Sequence, residues 1–468
     1  MKSIDRDTFK GVDEPGSAVE TLGIERVSPI ARSHVRIFDN FTTWLACNLV
    51  MPTLATGSLA VGVFGLGLWD SIATIVVFNA LGILPVAFFS TLGPKLGLRQ
   101  MTISRFSFGW IGAGIMALFN VLATIGWSAV NVIVGAQLIT AVSGGAFPTW
   151  IGILVITACT TLVSLYGYRY VHHYERYAWM PMALIFLVIF ALAAPKATVV
   201  TAQATGIAHT AALLSFGGGV YAFSGGWAVY AADYNVKQPE DTPPQRVFWL
   251  TYLGVFIPCV LLEILGVILT TIPAFNGKSG GDLIAAVVSP LGVVGTLMLL
   301  FLALSIVANN VPIDYSLALS AQVLGGPFQR VKRAFWTLLG ATTYTIVAIS
   351  ASSDFNQTLG EFLLLIAYWI GPWSIILILE HFMFRQGRYN VEDWNTAGRL
   401  PVGWAAGAAM LAGLLGVYLG AAQVAFVGPI ARLFNPPAGI DIGFQLGMLL
   451  AGIAYAVARP IERSATGR

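Results

Sequence analysis

Charge is scarce in this sequence. Of its 468 residues only 10% are Asp, Glu, Lys or Arg, against 57% hydrophobic, whereas a soluble domain carries roughly 25% charged residues. With a mean hydropathy of +0.78, the chain has too little polarity to cover a water-exposed surface and reads as an integral membrane protein. Cysteine is sparse too: Cys47, Cys159 and Cys259 all fall inside apolar runs, with no C-x-x-C or Cys/His spacing. That argues against a disulfide framework and a metal site, and leaves the three as packing residues. Residues 1–39 mix both signs of charge but hold no apolar signal-peptide core or cleavage site, so they read as a cytosolic tail. There is no nucleophile–base–orienter set, which argues against an enzyme. A net charge of +3 would hint at nucleic acid in a soluble chain. Here the basic residues flank apolar runs as determinants of topology, and no nucleic-acid partner is expected.

What the sequence has in abundance is apolar runs of about 20 residues, the length that crosses roughly 30 Å of hydrocarbon. They lie near 40–64, 69–92, 108–142, 147–166, 177–195, 209–232, 246–273, 288–322, 334–352, 358–383, 402–426 and 440–458, which predicts twelve transmembrane helices. When the loops are assigned alternately, the side carrying the N-terminus receives nearly every Lys and Arg, and only Lys196, Lys278 and Arg432 fall opposite. One inserted or omitted span would scramble that parity, so the segregation supports both the count and two cytosolic termini. The expected setting is a plasma membrane or a bacterial inner membrane. Glu380-His381 and His172-His173 sit at span ends among charges and read as interfacial.

Two runs carry residues that a straight helix tolerates poorly. Span 1 contains "MPTLATGSLAVG", with Pro52, Gly57 and Gly62, and span 6 contains "SFGGGVYAFSGGW", with Gly217, Gly218, Gly219, Gly225 and Gly226. Each Gly costs about 1 kcal/mol in a helix interior relative to Ala, and in lipid an irregular backbone survives only where it lines a cavity or is buried in protein. Secondary transporters built as inverted repeats interrupt the first helix of each repeat, so that free backbone groups meet substrate and ion. Spans 1 and 6 stand five helices apart, as a five-plus-five repeat followed by two extra helices requires. The competing reading is that these glycines only let helices pack closely. The expected organisation is a tail over 1–39, a transporter core over 40–383 with repeats near 40–195 and 209–383, a loop and two extra helices over 384–458, and a tail over 459–468.

Polar residues at depth mark candidate contacts. In span 3, Asn120, Thr124, Trp127 and Asn131 follow at spacings of 4, 3 and 4, one stripe of a helix. Asn120 reads as an interhelical bond. Asn131 with Trp127 suits a flat heterocycle, because an amide matches adjacent N–H and C=O groups and an indole stacks on the ring. In span 8, "LALSIVANNVPIDYS" places Asn309 beside Asn310. Adjacent residues point about 100° apart on a helix, so one is expected to bind and the other to brace. Glu263 in span 7 is surrounded by apolar sequence. It is either a proton carrier or a protonated carboxyl braced by a neighbouring helix. Asp314, one turn from Asn310, is a second candidate proton site near the interface.

Several stretches together resemble the purine-cytosine permeases of the nucleobase-cation symporter family, especially the fungal-type branch. They are "FNALGILPVAFFSTLGPKLGLRQMTISRFSFG", "IGWSAVNVIVGAQ", "YGYRYVHHYERYAWMP", "GGWAVYAADYNV", "LALSIVANNVP" and "FLLLIAYWIGPWSIILILEHFMFR", in order from about 70 to span 10. The resemblance implies a LeuT-like fold of twelve helices and uptake of a nucleobase with a cation. It also implies that Trp127 and Trp227 sandwich the ring, that Asn131 and Asn309 bond its edge with Asn310 in support, and that Gly226 opens the backbone to it. Three positions depart from the family pattern. Ile313 stands where a further asparagine is usual, which bears on the choice among cytosine, adenine, guanine and hypoxanthine. Ala303 and Leu304 stand where sodium-coupled relatives usually offer hydroxyls, and a hard cation wants several oxygens. Proton coupling is therefore preferred to sodium.

The expected function is proton-coupled import of cytosine and purines, with no cofactor beyond the co-transported ion and no bound metal. The nearest rival is the same fold carrying another planar solute, such as allantoin, hydantoin, uracil, thiamine or a pyridoxine-like ring. A channel or receptor fits less well, since neither filter motifs and charge rings nor a sizeable signalling domain is present. The sequence sets no oligomeric state.

Overall fold

The computed structural model describes residues 23–32, 37–166 and 168–468; the side chains of 31, 166–176, 178 and 329 also lie outside the description. His172 and His173 fall in that stretch. Apolar composition folds the chain into helices throughout, with an isolated bridge between Ala422 and Val427 as an extended pairing. Among the described residues, by length and composition, seven helical segments can cross a membrane, and a bent pair makes an eighth. One of the seven, Arg333–Phe384, holds two spans, Arg333–Ala351 and Phe355–Leu379. The shorter or glycine-rich helices Thr149–Tyr166, Gly206–Gly225 and Trp404–Gly420 complete twelve.

Span 1 is the bent pair, Phe38–Asn48 and Met51–Gly62, which meet at 53°. The break falls at Leu49 and Val50, ahead of the residues expected to cause it. Pro52 lies in the first turn of the second half, where its missing N–H costs nothing. Gly57 is inside that helix and packs against span 7 (Pro244–Thr270): a Cβ there would stand 1.9 Å from the Glu263 carbonyl oxygen. Span 6 is likewise helical through Gly217, Gly218 and Gly219, up to Gly225. Gly217 and Gly218 make room for Phe78 and Leu364, so close packing explains those two, whereas a Cβ on Gly219 would meet Leu363 only at ordinary contact distance. The interruption follows as a 3-10 turn over Gly226–Val229, before a short helix Ala231–Asn235.

Arginines that mark topology in the sequence also tie the face that bears the N-terminus together. Arg32 donates to the Pro94 carbonyl at 2.6 Å and meets Glu240 at 3.4 Å, and Arg26 pairs with Glu392 at 2.9 Å. Arg105, fully buried, stacks 3.9 Å over Trp110 and donates to Asn395 at 3.0 Å. Glu380 and His381 are buried within the protein. Glu380 accepts from Arg459 of span 12 (Gly443–Thr466) twice at 3.0 Å, from Arg385 at 2.8 Å and from Tyr455 at 2.8 Å. Glu462 accepts from the same Arg459 at 2.9 Å and caps the start of span 11 (Trp404–Gly420) through the Gly403 and Trp404 amides. On the opposite face a short helix, Gly280–Val288, seats its first turn on Gln137 of span 3 (Arg105–Val142).

Candidate functional site

The two helix breaks face each other, and one side chain joins them. Asn48, the last residue of the first half of span 1, accepts from Trp227 Nε1 at 2.9 Å and from Cys259 Sγ at 3.4 Å on the same Oδ1. Its Nδ2 donates back to the Trp44 carbonyl at 2.9 Å. Trp44 packs edge-on to Trp227 with ring centroids 5.7 Å apart. A carboxamide buried at the break is therefore what orients the indole of Trp227. The sequence reading passed over Asn48 and expected the break to lie later, although an amide inside an apolar run just before Pro52 was a usable signal.

Trp127 and Asn131 of span 3, Gly226 and Trp227 of span 6, and Asn309 of span 8 (Val293–Val323) line one cavity. Cys47, Val50, Pro52, Phe223, Tyr230 and Ile313 complete its walls. Phe223 and Phe362 meet Trp127 edge-on at 5.6 and 5.1 Å. A Cβ on Gly226 would stand 3.2 Å from Trp127 Cζ2, so the span 6 backbone lies against that indole. The free volume is about 30 Å³, less than a heterocyclic ring needs, and a ring can enter only when these walls part.

The three asparagines form a relay. Asn131 Nδ2 donates to Asn309 Oδ1 at 3.2 Å and to Asn310 Oδ1 at 3.1 Å, and Asn309 Nδ2 donates to the Cys47 carbonyl at 2.9 Å. Both N–H groups of Asn131 are thus used and its Oδ1 is left as an acceptor toward the cavity. Asn310 is fully buried behind Asn131 and is not among the lining residues. It braces, while Asn309 lines. Asn120 bonds Ser320 of span 8 at 2.8 Å, the interhelical role expected of it.

Neither carboxyl read as a candidate proton site lines the cavity. Glu263 is fully buried one turn beyond Cys259 and accepts from Asn79 Nδ2 of span 2 (Leu68–Ser90) at 2.6 Å. Its Oε1 and the Asn79 Oδ1 both lack a donor among the described residues. Asp314 is buried as well. It receives the hydroxyls of Ser164, Ser128 and Tyr344 at 3.2, 3.5 and 3.5 Å. Among the described residues no group of His, Cys, Asp and Glu could hold a metal ion.

Comparison with known proteins places this geometry. Residues 28–447 match the family described as permease for cytosine/purines, uracil, thiamine, allantoin. The purine-cytosine permease fcyB of Emericella nidulans is 42% identical, with 96% of this chain and 90% of that protein covered. The purine-cytosine permease FCY21 of Saccharomyces cerevisiae is 39% identical, covering 97% and 88%. Among solved structures, the nucleobase-cation-symport-1 family transporter MHP1, closed with bromovinylhydantoin bound, aligns with a TM-score of 0.74 at 16% identity over 96% of this chain and 97% of that one. Its inward-facing form gives 0.73. That likeness concerns the fold, a LeuT-like arrangement of twelve helices. The chain belongs to the family of permeases for cytosine/purines, uracil, thiamine and allantoin, and it is a membrane transporter rather than an enzyme.

Proposed function

We propose that this permease imports cytosine and purine bases, adenine, guanine and hypoxanthine among them, by alternating access with a proton as the coupled ion. The observation that carries the substrate reading is the single cavity at the two helix breaks. It holds two indoles, Trp127 and Trp227, with Asn131 Oδ1 as a free acceptor between them. Indole faces suit a flat ring, and a buried acceptor selects a ring N–H by leaving an unpaired oxygen when that group is missing. The two purine-cytosine permeases named above support the same substrate class.

Proton coupling is favoured by where the oxygens of the span 1 break go. The carbonyls of Trp44, Cys47, Asn48 and Val50 accept from Asn48 Nδ2, Asn309 Nδ2, Thr53 Oγ1 and the Thr53 amide. A sodium ion needs several oxygens that are not already engaged. In span 8, Leu304 is 62% exposed on the outer surface, and Ser305 Oγ donates within its own helix to Leu302. Glu263 is the favoured proton carrier. A bare carboxylate at that depth with a single donor is costly. One proton shared toward Asn79 Oδ1 satisfies both unpartnered oxygens of the pair. The setting is a plasma membrane or bacterial inner membrane with both termini cytosolic, supported by the segregation of Lys and Arg.

Uptake of radiolabelled cytosine into cells lacking their own nucleobase permeases tests both parts. Unlabelled adenine and hypoxanthine are expected to compete, a protonophore to abolish accumulation, and replacement of sodium to have no effect. Glu263→Gln is expected to keep cytosine binding while losing uphill accumulation. Uptake of allantoin or uracil without cytosine would overturn the substrate assignment, and sodium dependence would overturn the coupling ion.

A further inference from the structure

A second cavity, of about 280 Å³, opens on the face that bears the N-terminus, between the end of span 2, the start of span 7 and the end of span 10 (Phe355–Leu379). Its walls divide by chemistry. Phe88, Phe248, Trp249 and Phe382 supply aromatic faces, and Trp249 and Phe382 are 56% and 60% exposed. At the other end two nitrogen donors converge. Lys95 Nζ and His381 Nε2 each lie 3.5 Å from the point where a Cβ on Gly387 would sit.

The imidazole is held in place from two sides. His381 Nδ1 is engaged by the Tyr389 hydroxyl at 3.0 Å, and its ring packs edge-on to Phe88 at 4.9 Å. Its Nε2 has no partner among the described residues although the residue is only 9% exposed, and in the tautomer whose Nδ1 accepts from Tyr389 that nitrogen is a donor. Lys95 Nζ donates to the Gly387 carbonyl at 2.8 Å and has no carboxylate partner among the described residues. The first turn of span 7, at Pro244 and Gln245, forms the facing wall, and the N-terminus of a long helix carries about half a positive charge. An ammonium, an imidazole nitrogen and a helix N-terminus thus line one cavity that has no carboxylate among its lining residues.

We propose that this cavity binds an anionic phospholipid, with the headgroup phosphate on Lys95 and His381 and an acyl chain along Phe88, Trp249 and Phe382. Basic pockets between transmembrane helices recognise acidic headgroups in this way, and aromatic side chains at the same level match the boundary of the bilayer. A dissolved anion would use the same nitrogens but gain nothing from the aromatic walls.

The test uses the full chain, purified in detergent and stripped of lipid, then titrated separately with phosphatidylserine, phosphatidylcholine and inorganic phosphate while native mass and thermal unfolding are followed. One phosphatidylserine per chain is expected to be retained at least about fivefold better than phosphatidylcholine, the ratio one surface cation supplies. Lys95→Glu is expected to erase that preference and Trp249→Ala to weaken retention of both lipids, with unchanged elution on size exclusion showing that each variant folds. Lys95→Gln, which keeps the side chain polar, guards against a folding defect in the charge reversal. Equal retention of the two lipids, or a Lys95→Glu protein that still prefers phosphatidylserine, would overturn the proposal. So would a thermal shift from inorganic phosphate as large as that from the lipid, which would make this a site for a dissolved anion.

Discussion

Asn48 carries more of the site than its single side chain suggests. Its Oδ1 is the acceptor for the Trp227 indole, its Nδ2 fixes the Trp44 carbonyl, and its own carbonyl takes the Thr53 hydroxyl. Removing the amide leaves the Trp227 N–H buried without a partner, which costs about 1–3 kcal/mol. The ring can recover that only by rotating away from its place in the cavity wall. Asn48→Ala is therefore expected to raise the KM for cytosine by about tenfold, the equivalent of 1.4 kcal/mol, with the amount of protein at the cell surface retained. Asn120→Ala, which removes only the bond to Ser320, is the control: it lowers thermal stability and leaves KM near the parent value. A similar change in KM for both variants would show that Asn48 acts through general packing. At this scale much of the site was legible. Trp127, Asn131 and Asn309 stood out as polar or amphipathic groups inside apolar runs, and an amide that cannot reach water must meet something. Asn48 obeys the same rule, but a break expected at Pro52 and Gly57 drew attention away from it.

Helical elements show where residue type alone misleads. Glycine in a span permits two opposite outcomes, an opened backbone or a close helix contact, and only the neighbour decides between them. Gly226 belongs to the first class and Gly57, Gly217 and Gly218 to the second. The number of spans and the five-helix separation of the breaks were legible because they depend on run length and charge parity, which are properties of the chain itself. Contacts across helices were not, because the partner lies hundreds of residues away. Gly57 and Gly62 give a matched pair. A Cβ on Gly57 would stand 1.9 Å from the Glu263 carbonyl oxygen, whereas on Gly62 it meets nothing within 4 Å. Gly57→Ala is expected to force spans 1 and 7 apart at a cost of about 1–3 kcal/mol, and Gly62→Ala to be neutral. Thermal unfolding of the purified proteins in detergent reads the difference, and equal unfolding temperatures would show that the contact yields without cost.

In the whole molecule the free space at the helix breaks is small, and contacts on both sides of it hold the spans together. On the face bearing the N-terminus, Arg99 reaches across from the connection after span 2 to the Tyr315 hydroxyl at 2.9 Å and the Asp233 carbonyl at 3.2 Å. From the other side, Phe362 of span 10 covers Trp127. With about 30 Å³ free between the indoles, a base can bind only if one of these contacts relaxes while the other holds. That is the requirement of alternating access, and it gives Cys47 a reporting role. Its side chain lines the cavity and is 4% exposed, so a thiol reagent reaches it only in open states. In a chain carrying Cys159→Ser and Cys259→Ser, where the serine can still donate to Asn48, maleimide labelling of Cys47 is expected to be slow and to depend on substrate. Cytosine at ten times its Kd leaves about a tenth of the sites unoccupied, so labelling should slow about tenfold, and an excluded solute should leave the rate unchanged. If cytosine is transported by this variant and labelling is indifferent to it, the ring binds elsewhere, and the paired indoles serve to seal the helix breaks instead of to hold a base.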